Sequence, residues 1–198
     1  GLALMLSSAA LADDRAAANY QPCAACHGER AQGNPALAAP ALAGQRAAYL
    51  ERQLRHFKVG IRGADSQDVH GAQMRGMIAT LPEEEFAAMA AYLASLPPPV
   101  AQPAEGANLM NGNNYYQSKC GACHGGSAQG NDRLNAPALA FLDTAYMKRQ
   151  YANFQRGLRG THEQDKYGRQ MKMMSTTLPG DKDLGDVIAF MQTFSQER

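Results

Sequence analysis

Cys23-x-x-Cys26-His27 and Cys120-x-x-Cys123-His124 place the same three reactive side chains at the same spacing twice in this 198-residue chain. On a helix, positions i, i+3 and i+4 lie on one face, so both sulfurs and the imidazole of each copy can address a single flat object. Cys-x-x-Cys pairs can also bind zinc, cycle as a dithiol or close disulfides. Zinc would need both pairs in one site or further ligands within each copy. A dithiol enzyme would need a βαβ setting that the chain lacks, and disulfides would leave both histidines without a role.

The chemistry that uses all three residues is covalent haem attachment. The thiols form thioethers to the two vinyl groups, and the adjacent imidazole lies beneath the iron as its proximal ligand. Cys23, Cys26 and His27, with Cys120, Cys123 and His124, are therefore the expected attachment residues of two haem c groups. A chain with 7% aromatic residues and no Trp gains apolar bulk from such a cofactor.

The occupant of the sixth iron position decides whether a haem carries electrons or reacts with small molecules, and a Met thioether closes the iron and raises its potential. Sliding the sequence on itself by 97 residues gives 32 identities in the 60 positions from 23 to 82, without a gap. Of ten methionines, only Met74 with Met171 and Met77 with Met174 match across this repeat. Spacing leaves both pairs open as iron ligands; the other pair would pack on the porphyrin. The remaining histidines, His56, His70 and His162, align with Asn153, Tyr167 and Asp65, which excludes His as the second ligand in both halves. Pro40 and Pro137 are candidates to offer a backbone carbonyl to the proximal imidazole, or are simple turn prolines. Arg62, Arg159, Gln53 and Gln150 are candidates to hold haem propionates, against the alternative of solvated surface residues.

The elements that must carry these groups are helical. The periodicity predicts a first helix over 14–26, a middle helix over about 46–58 and a last helix over 83–96, with the paired methionines in a loop ahead of the last. Pro82 and Glu83-Glu84-Glu85 suit a helix N-terminus. No segment reads as a strand. "LPPPVAQPAEGA" lacks helical periodicity and reads as an extended linker. The expected organisation is all-α, in tandem domains at 13–96 and 108–198 joined by a linker at 97–107.

A formal charge of +1, from 19 basic and 18 acidic residues with no long like-charge block, gives nucleic-acid binding no support. The halves are also near neutral, at −1 for 13–100 and +2 for 101–198. Residues 1–12, "GLALMLSSAALA", are apolar and end in a small-x-small pattern. They read as the remnant of a secretory signal, too short to span a bilayer, and imply export to the periplasm.

On "CAACHG", "PALAGQ", "YLERQLRHFKVGIRG", "MRGMIATL" and "MAAYLASL" in the first half, and "CGACHG", "APAL", "YMKRQYANFQRGLRG" and "MKMMSTTLP" in the second, the chain resembles the dihaem cytochromes of the cytochrome c4 type. The resemblance covers about 14–196 and implies two class-I cytochrome c domains with their haems close together near the domain interface. It also implies that the first Met of each Met-x-x-Met, Met74 and Met171, completes the iron coordination with His27 and His124. The family's members are periplasmic, soluble or peripherally membrane-attached. They carry electrons from a quinol-oxidising complex or dehydrogenase to a haem-copper oxidase, commonly of the cbb3 type. The rival readings are a dihaem subunit of a dehydrogenase, such as a sulfide-oxidising flavocytochrome, and a dihaem peroxidase or thiosulfate dehydrogenase. One departure stands out: "FLDTAY" in the second half lacks the "AGQ" of residues 43–45.

Overall fold

The computed structural model describes the backbone of residues 8–196 and the side chains of 15–196. Residues 1–7, most of the apolar stretch read as an export remnant, lie outside the described residues. The first helix, α1 (Ser8–His27), begins six residues ahead of the expected 14, because Ala9, Ala10, Leu11 and Ala12 are strong helix formers.

In the first half α1 is followed by α2 (Ala47–Val59), α3 (Val69–Ile78) and α4 (Phe86–Ser95), with a short 3₁₀ turn at Glu83–Glu85 leading into α4. The second half repeats this as α5 (Leu109–Tyr115), a π-turn (Tyr116–Cys120), α6 (Gly121–His124), α7 (Thr144–Gln155), α8 (Lys166–Met174) and α9 (Asp181–Thr193). The described residues contain no strand longer than an isolated bridge.

Two further findings differ from the sequence reading. The paired methionines sit on helices α3 and α8, not in loops. Asp68 and Asp165 start those helices, each carboxylate accepting the N–H three residues on, from Gly71 at 3.1 Å and Gly168 at 2.8 Å. The close fit of the cap demands glycine, since a Cβ on Gly71 or Gly168 would run into the capping carboxylate.

The π-turn accounts for a register change that the 97-residue offset conceals. Tyr20 lies three residues before Cys23 and Tyr116 lies four before Cys120, yet both phenols donate to the equivalent carbonyl, of Gly28 at 2.6 Å and Gly125 at 2.5 Å. One extra residue in the second half is absorbed as a wider helical turn. Each tyrosine is fully buried.

One main apolar cluster forms the core of each domain, and Phe57, Ile78 and Phe86 make a smaller one in the first half. Tyr20, Leu50, Met89 and Leu93 centre the first main cluster; Tyr116, Phe141, Leu142, Ile188 and Met191 centre the second. Between the domains, residues 96–108 form no helix. This segment is tied back at Ala101, whose N–H donates to Ser195 Oγ at 3.0 Å.

Candidate functional site

His27 and His124 end their helices, at 4% and 6% exposure, and each points Nδ1 at a backbone carbonyl: Pro40 O at 2.8 Å and Pro137 O at 2.9 Å. A carbonyl only accepts, so Nδ1 carries the proton and Nε2 is left with its lone pair free for a metal. Burial lowers both imidazole pKa values, outweighing the opposing carbonyl bond, and keeps the rings neutral. The Pro40 segment is held where the ring needs it. Ala31, in left-handed backbone at φ 54°, turns its carbonyl to accept from Leu42 and Ala43, and Ala128 does the same for Leu139 and Ala140.

The four cysteines are free, with Cys23 and Cys120 half-buried and Cys26 and Cys123 exposed. Burial pushes the Cys120 thiol up to about 11, and the Cys23 thiol also rises. These are poor thiolates, the reverse of what a dithiol redox centre needs. Among the described residues no three His, Cys, Asp or Glu side chains gather as a zinc site would require. Each half instead sets two thiols and a neutral imidazole around one helix end.

The methionine pairs are not equivalent in their surroundings. Met74 is half-buried and packs on Phe57, Ile78 and Phe86, whereas Met77 is 49% exposed. In the second half Met171 and Met174 are both half-buried, and Met173 is 67% exposed.

Arg62 and Arg159 are buried at the domain interface, not solvated. Arg62 bonds Gln53 of its own half at 2.8 Å and Gln150 of the other at 3.1 Å; Arg159 bonds Gln150 at 2.9 Å and Gln53 at 2.9 Å. Each also reaches the other half's tyrosine, Tyr146 at 3.3 Å and Tyr49 at 3.2 Å. The Tyr49 phenol shows how positive this centre is. Burial raises its pKa, but Arg159 and Arg62 outweigh that and draw it down to about 8. Arg62 Nε is buried with no partner at all. Asp68 acts on Arg62 from a helix cap, but the bonds of both guanidiniums go to Gln and Tyr oxygens, and the two propionate carboxylates of a haem would suit the remaining donors.

Further contacts across the interface join α2 of one half and α7 of the other to opposite helix caps. Asn153 Nδ2 donates to Asp68 Oδ1 at 3.3 Å, and its counterpart His56 brings Nδ1 to 3.9 Å from Asp165 Oδ1. Gln45, 3% exposed, bonds both groups of Ala138: Nε2 donates to the carbonyl at 2.9 Å and Oε1 accepts the N–H at 2.7 Å. The sequence reading did not single out Asp68, Asp165 or Gln45. The aspartates could have been found, being identical in the repeat; Gln45 was signalled only by the missing "AGQ" of the second half.

Paired thioether-forming cysteines with a carbonyl-oriented imidazole, set twice in an all-helical chain, define a dihaem c-type cytochrome. Residues 14–97 and 109–195 each match the family model for cytochrome c. The chain is 32% identical over 200 residues to cytochrome c4 of Pseudomonas aeruginosa, covering 97% of this chain and 91% of that one. A thiosulfate dehydrogenase electron acceptor of Thiomonas intermedia is 35% identical over 147 residues, 69% of this chain and 64% of the relative. The crystal structure of reduced recombinant cytochrome c4 from Pseudomonas stutzeri superposes with a TM-score of 0.75 at 27% identity, over 91% of this chain and 97% of that one. The chain belongs to the cytochrome c family, as two tandem class-I domains of the cytochrome c4 kind, and its cofactors are two covalently bound haem c groups.

Proposed function

We propose that this chain is a periplasmic electron carrier whose two haems are attached at Cys23 and Cys26 and at Cys120 and Cys123, and ligated by His27 with Met74 and by His124 with Met171. The haem supplies reversible one-electron chemistry, and the protein sets its potential and its access. His27 and His124 would hold the iron through Nε2, with the carbonyls of Pro40 and Pro137 fixing their rings. Met74 and Met171, as second ligands, would leave no room for a substrate on the iron. Arg62 and Arg159, with Gln53 and Gln150, balance propionate charge at the interface, where the domains meet and an electron can pass between them.

The observation that carries this reading is the symmetry of the ligand set. Both halves repeat the buried His on a proline carbonyl and the half-buried Met on an Asp-capped helix. An enzyme of this type needs one iron that differs. Likeness to an electron acceptor of thiosulfate dehydrogenase supports a periplasmic dehydrogenase as donor, with a quinol-oxidising complex as the other source. The family resemblance supports a haem-copper oxidase, such as one of the cbb3 type, as the acceptor. Among the described residues no helix is long and apolar enough to cross a membrane.

The test mixes the reduced holoprotein with purified cbb3 oxidase and, separately, with peroxide and with thiosulfate plus an artificial acceptor. Rapid oxidation by the oxidase, with no turnover of either small molecule, is expected. Sustained thiosulfate or peroxide turnover by the isolated chain would replace the carrier reading with an enzymatic one.

A further inference from the structure

The Pro137–Ala138 peptide group is engaged at both ends. Its carbonyl accepts His124 Nδ1 at 2.9 Å, and its N–H donates to Gln45 Oε1, from the other domain, at 2.7 Å. A peptide whose N–H is donated carries more negative charge on its oxygen, so the two bonds strengthen each other. Gln45 Nε2 closes the arrangement on the next carbonyl, of Ala138, at 2.9 Å, which fixes the amide's orientation. The first half has no equivalent. Leu142 occupies the position matching Gln45 and lies in an apolar cluster with Ala41, so it offers the Ala41 N–H no acceptor.

We infer that Gln45 is a positioning residue of the second haem: from the first domain it polarises the Pro137 carbonyl, makes His124 a more electron-rich ligand and lowers the potential of that haem. The inference rests on the proposed ligation by His124. A stronger acceptor at Nδ1 raises the basicity of a metal-bound imidazole. A more basic imidazole favours the ferric state. Gln45 therefore lowers the potential of the second-half haem relative to what the same ligands would give alone, and does nothing comparable for the first.

The experiment is a potentiometric titration of holoprotein carrying Gln45→Leu, which copies the residue at 142, beside wild type and Leu142→Gln. Met171→His serves to assign which step belongs to the second half, because replacing Met by His lowers that potential. Gln45→Leu should raise the second-half potential by about 30 mV, a roughly threefold change in the reduction equilibrium at 59 mV per tenfold for one electron. The first-half potential should stay put. Leu142→Gln, where it folds, should lower the first-half potential. Nuclear magnetic resonance gives a reading independent of electron transfer: the His124 Nδ1–H signal of the reduced protein should move upfield in Gln45→Leu while that of His27 does not. An unmoved second-half potential and His124 signal, or equal shifts in both halves, would overturn the inference. If Met171→His instead left both potentials and the oxidised-state sulfur-to-iron band unchanged, the ligand assignment itself would be wrong, a failure distinct from that of Gln45.

Discussion

Arg62 and Arg159 exchange partners across the domain interface: each guanidinium bonds the glutamine of its own half and that of the other, at 2.8 to 3.1 Å. The repeat thus builds a two-fold related polar centre from one Arg and one Gln of each half. Replacing Arg159 by Leu leaves Gln53, Gln150 and Tyr49 short of a buried donor, which costs about 2–3 kcal/mol for bonds to a charged group. Chemical denaturation of the holoprotein should show the loss. Arg62→Leu should cost a similar amount.

His56 makes the interface sensitive to acid. Burial lowers its pKa, with Asp165 opposing and Arg52 assisting, so the folded protein favours the neutral ring. The unfolded chain takes up a proton near 6.5 and the folded one only below that. His56 thus contributes stability that is present above about pH 6.5 and is lost as pH falls through its folded value. His56→Asn, which copies Asn153, should abolish that part of the acid dependence. Thermal melts between pH 7.5 and 5 compare the two proteins directly; parallel curves would show that His56 does not titrate in this way.

Asp68 does two jobs, capping α3 through Gly71 and accepting from Asn153 of the second domain. Asp68→Ala should cost about 1 kcal/mol for the cap alone. Asp68→Asn keeps an acceptor for Gly71 and should recover most of it. Asn153→Ala, far along the chain, should weaken the same helix, seen as faster amide exchange within 69–78 and not within 166–174.

Much of this molecule was legible before its structure. The Cys-x-x-Cys-His copies, the repeat and the helical class depend on local spacing, which the sequence displays directly. The carbonyl partners of the imidazoles were also anticipated, because Pro40 and Pro137 recur with the motif. Contacts between the halves were not legible: nothing in the order of residues says that Gln45 meets Ala138 or that Arg62 meets Gln150. The helical setting of Met74 was missed for a different reason. Two glycines in "VHGAQMRGMI" argue for a loop, and the Asp68 cap with close packing of Gly63 on Gly71 overrides that weak propensity. The π-turn escaped because the register that pairs the cysteines puts Tyr20 opposite Gln117.

The most direct test of the central claim is the near-infrared sulfur-to-iron band of the oxidised holoprotein, measured per haem in wild type, Met74→Leu, Met171→Leu and Met77→Leu. The ligand assignment predicts full intensity for two haems in wild type and Met77→Leu, and half intensity in Met74→Leu and in Met171→Leu. A half-intensity band in wild type, or a loss in Met77→Leu with none in Met74→Leu, would contradict it.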